Sequence, residues 1–164
     1  MIKKTSFFSF LFLIFIGCNF QYPTTFSEEA LNDSFFDLNN KSIQFKEILN
    51  KNKGKKIVIN VWASWCRDCV VGIPDLKEFQ ENNPEVKTVF ISSDRSLFSW
   101  KKAIQKYDIK GEHYFMKNGL NSAFGDFLNS NWIPRYLVVN KNGTIGLFKA
   151  KKITDKRIVE ALKK

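Results

Sequence analysis

The segment WASWCRDC, residues 62–69, places Cys66 and Cys69 three positions apart directly behind a tryptophan. Two sulfurs at that spacing can form a structural bridge, hold a metal, or make and break a disulfide in turnover. A structural zinc site needs four ligands, and beyond this pair the downstream chain offers only His113. Covalent haem attachment needs a histidine directly after the second cysteine, where Val70 stands. A static disulfide closing so small a loop constrains the unfolded chain little. Redox exchange is the favoured reading, and it needs no metal or other cofactor. At a strand-to-helix junction the first sulfur lies beside unpaired N–H groups and the positive end of the helix dipole. That setting favours thiolate and brings thiol pKa values down to about 3.5 to 7.5 from about 8.5. Cys66 is then the nucleophile, and Cys69, one turn deeper, resolves the mixed disulfide that Cys66 forms with a partner. Arg67 favours the Cys66 thiolate and Asp68 opposes it, so the pair between the cysteines tunes the redox balance.

The junction is legible in the flanking residues. KKIVINVWA, residues 55–63, is a nearly continuous β-branched apolar run suited to a strand buried on both faces. After the cysteines, Val70, Ile73, Leu76 and Phe79 recur at helical spacing. A second strand is predicted over 86–92, then a helix carrying Leu97, Trp100, Ile104 and Tyr107 on one face. Leu120, Ala123, Phe124, Phe127 and Leu128 mark a further helix, and residues 136–148 a hairpin turning at Asn142-Gly143. In the tail, Thr154 is the expected N-cap of a last helix, with Ile153 and Ile158 as a hydrophobic staple. Upstream, two short apolar runs around Asn39 and Asn40 predict a hairpin over 35–45. The sum is an α/β domain with a mixed sheet.

The chain has 164 residues, the size of one domain of about 100 to 200 residues. Residues 1–17 place Lys3 and Lys4 before an apolar run and read as a secretory signal peptide. The run from Phe7 to Gly17 is well short of the roughly 20 residues that cross a bilayer. It ends in FIGC, similar to a bacterial lipobox with Phe15 where leucine is usual, so Cys18 is expected to carry lipid. Parity agrees: with three cysteines in an exported chain, lipidation of Cys18 leaves Cys66 and Cys69 as a pair. The expected organisation is a lipid-anchor tether over 18–32 and one domain over 33–164. The formal net charge is +10, and loss of Lys3 and Lys4 lowers it by two. Lysines are spread along the whole length, so a solvated surface is expected and nucleic acid is not, while anionic lipid headgroups would attract the chain.

INVWASWCRDCVVGIPDL and WIPRYLVVNKNG together resemble the membrane-anchored or periplasmic thioredoxin-like proteins of the TlpA/ResA type, over about residues 33–164. The resemblance implies a thioredoxin-like fold with a mixed central sheet and an added N-terminal β-hairpin. It implies thiol-disulfide exchange with protein substrates in the cell envelope, an upstream membrane electron donor, and the reductive direction, for instance on apocytochrome thiols. An oxidase or isomerase direction, or a copper- or protein-binding module, is the alternative. Pro74 corresponds to the proline that bends the active-site helix. The Ile133-Pro134 bond is expected to be cis, with the Ile133 backbone free to pair with an extended substrate. Trp65 is expected to cover the site as a flat apolar surface, while Trp62 and Trp132 could as easily be core. Asn60 stands where thioredoxins carry a buried aspartate, and Gly72 where many relatives have glutamate. Deprotonation of Cys69 is therefore left to water or to another carboxylate.

Overall fold

The computed structural model describes residues 21–164. The signal peptide expected over 1–17, and Cys18 with its expected lipid, lie outside the described residues.

At the centre is β3 (Ile57–Trp62), buried at every position as its apolar run predicts. It pairs in parallel with β4 (Lys87–Ser92) and antiparallel with β6 (Arg135–Val139). β4 continues in parallel to β5 (Glu112–Met116), and β6 in antiparallel to β7 (Ile145–Ala150). On the far side β1 (Ser34–Phe36) joins β5 antiparallel and carries β2 (Ser42–Gln44) as the edge. The result is a mixed seven-stranded sheet in the order β2-β1-β5-β4-β3-β6-β7, a thioredoxin-like arrangement with the expected N-terminal hairpin at one end. The hairpin turns where it was predicted: Asn40 adopts φ 62°, and the Asp37 carboxylate accepts from the backbone N–H groups of Asn39 and Lys41.

Three elements were missed. β5 lacks the apolar alternation of the other strands, its signal being three consecutive residues His113, Tyr114 and Phe115 after Gly111. α1 (Glu28–Asn32) is capped by Ser27, which accepts from the Ala30 N–H, and has two acids in its first turn. α2 (Phe45–Lys51) starts with a reciprocal box between Gln44 and Glu47, so the predicted hairpin ends one residue earlier than expected. The polar-tether reading of 18–32 is corrected at its end. Phe26 and Ala30 are core residues, so the folded unit reaches back before residue 33.

Phe26 meets Phe45 at 4.8 Å, and Phe124 meets Phe45 at 4.6 Å and Phe35 at 5.6 Å, which binds α2, β1, α6 (Ala123–Leu128) and the segment before α1 into one aromatic cluster. The opposite face of the sheet carries Trp62, Phe90 and Phe115, the last packed on Trp100 of α5 (Leu97–Tyr107). The final helix, α7 (Lys156–Lys163), is capped by Asp155 rather than Thr154: the Asp155 carboxylate accepts from the Arg157 N–H at 3.0 Å. Ile153 and Ile158 are both buried. Among the described residues no helix is long and apolar enough to cross a membrane.

Candidate active site

The carboxyl ends of β3 and β4 lie side by side, and the site is built there. Chain direction changes sharply after Trp62: the Cys66 N–H bonds the Ala63 carbonyl at 3.1 Å, and α3 (Arg67–Val71) begins at once. Cys66 is its N-cap, with the Cys69 N–H donating to Cys66 Sγ at 3.1 Å. The sulfur thus takes the place a serine or aspartate takes at other helix starts, facing amide donors that favour negative charge on it. α3 stops at Gly72 and α4 (Ile73–Asn82) restarts with Pro74 in its first turn. Pro74 has no N–H to offer the Val70 carbonyl, which is the physical cause of the break.

Cys66 and Cys69 are joined as a disulfide with their Cα atoms 5.3 Å apart. Cys66 keeps 7% exposure and Cys69 4%. Because β6 pairs with β3, the segment entering β6 passes across the cysteine pair. The Ile133-Pro134 bond in that segment is cis, and the Ile133 carbonyl oxygen lies 3.7 Å from Cys66 Sγ. Cys66, Cys69 and the Ile133 carbonyl thus lie together, with Pro134 next along the chain. Arg67 and Asp68 are both exposed on the outer side of α3.

The aromatics divide differently from the expectation. Trp62 is core, Trp65 projects outward with 57% exposure, and Trp132 is 56% exposed instead of buried. Trp132 walls a groove of about 370 Å³ beside the cysteine pair, with Pro134 and Tyr136, Asp68 on the α3 side and Lys151 and Lys152 opposite. Burial, with the Asp75 charge adding to it, pushes the Tyr136 phenol above its usual range, so it stays protonated.

Asn60, standing where thioredoxins carry a buried aspartate, has no carboxyl group. Its side chain is buried with Oδ1 unpartnered. The carboxylates of Asp68 and Asp75 line the exposed groove. Asp94, a buried carboxylate, is already engaged: it accepts from the Ser64 N–H at 3.1 Å, the Ser64 hydroxyl at 2.5 Å and the Ser92 hydroxyl at 2.8 Å. It ties the end of β4 to the loop two residues before Cys66. Sequence reasoning missed it, although an acid just past a predicted parallel strand in an α/β sheet is a recognisable signal. Arg135 was also missed. It is buried one residue after the cis peptide, donates through Nη2 to the Ser130 hydroxyl, and leaves Nε and Nη1 without a hydrogen-bond partner among the described residues. Burial lowers the Arg135 pKa from its ordinary value, with Tyr22 acting in the opposite sense.

A family described as thioredoxin-like matches residues 54–145. The chain is similar to the thiol-disulfide oxidoreductase ResA of Bacillus cereus, 29% identical over 85 residues that cover 51% of this chain and 47% of that one. It is similar to ResA of Bacillus thuringiensis subsp. konkukian, 26% identical over 121 residues covering 72% and 65% of the two chains. The match thus spans about half to two thirds of the length of these relatives. Among solved structures it is similar to the solution structure of a candidate thiol-disulfide oxidoreductase from Bacteroides vulgatus, with 30% identity, a TM-score of 0.68, and coverage of 83% of this chain and 87% of that one.

Proposed function

The chain belongs to the thioredoxin-like family, among the thiol-disulfide oxidoreductases of the TlpA/ResA type, and on that premise we propose that it reduces disulfides of protein substrates in the bacterial cell envelope. One observation carries this reading: a nearly buried sulfur caps a helix N-terminus and lies 3.7 Å from the carbonyl of a cis X-Pro bond. The cap favours the thiolate, and the Ile133 backbone offers an edge on which an extended substrate segment can lie.

The cycle balances with two sulfurs. In the reduced protein the Cys66 thiolate attacks a substrate disulfide; a Cys66–substrate bond forms, and the second substrate sulfur leaves as a thiolate that takes a proton. Cys69 then loses its proton and attacks Cys66 Sγ, releasing the reduced substrate and closing the Cys66–Cys69 disulfide. Two electrons from a dithiol donor at the membrane reopen it. Arg67 and Asp68 act in opposite senses on the Cys66 charge, and for this two-electron couple about 30 mV corresponds to 1.4 kcal/mol. Lipid on Cys18 would hold the domain at the membrane. By likeness to the family the substrates include apocytochrome disulfides, which must be reduced to thiols before haem attachment.

Trapping tests the assignment. The Cys69→Ser variant, expressed in the envelope, is expected to accumulate mixed disulfides with substrate proteins, visible as thiol-sensitive bands on non-reducing gels. Cys66→Ser is expected to trap none and to retain less than about a thousandth of the disulfide reductase rate. If neither variant traps a protein and the purified domain instead retains copper, a metal-binding module replaces this reading.

A further inference from the structure

The groove beside the cysteine pair has two walls of opposite charge. On one side α3 and α4 present Asp68 and Asp75; on the other the loop joining β7 to α7 presents Lys151 and Lys152. Between them lie the exposed Trp132 ring and the buried Pro134, both apolar. Neither ammonium group forms an ion pair or hydrogen bond among the described residues. Both also line a second cleft, of about 580 Å³, that continues away from the cysteines past Lys149. Asp155, the acid of that cleft, is bound by Arg157 at 2.6 Å and so does not offset the lysines. From Pro134 outward the surface therefore passes from apolar to positive over a few residues.

We propose that this groove selects cysteine-containing segments in which an apolar residue near the cysteine is followed outward by acidic ones, with Lys151 and Lys152 as the specificity-determining residues. This rests on the oxidoreductase reading and names the class of substrate it takes. A segment lying along the Ile133 backbone, with its sulfur at Cys66, runs over Pro134 and Trp132 into the reach of the two ammonium groups. An anionic membrane is the poorer occupant. The lysines share their groove with Asp68 and Asp75, which repel a broad negative surface but which a single extended strand passes by.

The test uses the reduced protein and short peptides whose one cysteine is a mixed disulfide with 2-mercaptoethanol. In each, a phenylalanine next to the cysteine is followed by two aspartates, two serines or two lysines, placed either before or after the cysteine. Rates are normalised to those with dithiothreitol, which removes the peptide's own reactivity. In one of the two placements the aspartate peptide is expected to react about tenfold faster than the serine peptide at low salt. The ratio should fall toward one at about 0.5 M salt, reach about one in K151Q/K152Q, and invert in favour of lysine in K151E/K152E. A wild-type ratio near one in both placements overturns the proposal, as does a ratio that K151E/K152E leaves intact. The proposal fails equally if the lysine variants lose only their co-sedimentation with phosphatidylglycerol vesicles, which reassigns the patch to lipid. Failure of selectivity with a reactive serine peptide leaves the oxidoreductase reading standing; failure to reduce any peptide removes both.

Discussion

Cys66 Sγ accepts from the Cys69 N–H at the start of α3, a setting that favours negative charge on the reduced sulfur. Asn60 carries no ionisable group, so proton removal from Cys69 is expected to fall to water or to another carboxylate. Ionisation matters elsewhere too. His113, the single histidine of the chain, is buried, stacks on Phe90 at 4.8 Å and bonds the Ile109 carbonyl at 3.0 Å. Burial lowers its pKa below the ordinary 6.5, and the Ile109 contact opposes this only in part. With the folded value below the unfolded one, the unfolded chain takes the proton first. The stabilising contribution is complete above the ordinary value and is lost as pH falls through the folded one. Urea unfolding of the oxidised protein is therefore expected to weaken steadily from pH 7 to pH 5, and His113→Gln to lower stability at pH 7 while removing most of that slope. An unchanged slope in the variant would assign it to other groups. Glu112 acts lower on the scale: burial raises its pKa, but bonds from Tyr114, Asn52 and Lys51 together hold it below the usual range. Its loss belongs below the ordinary carboxylate value of 4.5.

The elements are fitted to one another closely enough that single atoms decide their placement. Gly125 sits in the first turn of α6, where a Cβ would lie 2.1 Å from the Leu120 carbonyl oxygen. That oxygen is backbone and cannot step aside, so α6 would have to move, taking Phe124 out of the aromatic cluster. Gly125→Ala is expected to cost about 3 kcal/mol or more in urea unfolding. Gly72, at the break between α3 and α4, is the contrast. A Cβ there would meet nothing nearer than the Asp68 carbonyl oxygen at 3.4 Å, and the backbone is helical at φ −81°. Gly72→Ala is expected to stay within about 1 kcal/mol of the parent, since alanine is the better helix former. If both substitutions cost the same, the helix break and not the packing controls stability in this half of the fold.

The whole molecule closes around its amino-terminal segment. Phe26 packs on Phe45, Phe124 and Phe127, and the Thr24 carbonyl accepts from the Ile145 N–H at 2.7 Å. A chain starting at residue 33 loses these contacts along with α1. It is expected to be less stable than one starting at residue 21 by at least the roughly 3 to 5 kcal/mol of a buried phenylalanine, which Phe26→Ala measures alone. Equal unfolding midpoints for the two chains would return residues 21–32 to the role of a tether. The amino-acid sequence by itself determined the redox pair, β3, β4, the amphipathic helix at 97–107 and the hairpin at Asn142-Gly143, because each writes its burial or turn chemistry into neighbouring residues. The cis Ile133-Pro134 bond was legible only through family likeness, since nothing local distinguishes it from a trans one. Tertiary structure alone decided the rest. Asp94 bonds Ser64 because β4 lies beside β3, and Asp68, Trp132 and Lys151 share one groove because β6 and β7 follow on β3's other side. Periodicity reports which face of an element is buried; which distant residues meet at the end of the sheet depends on strand order, fixed by the packing of the whole chain.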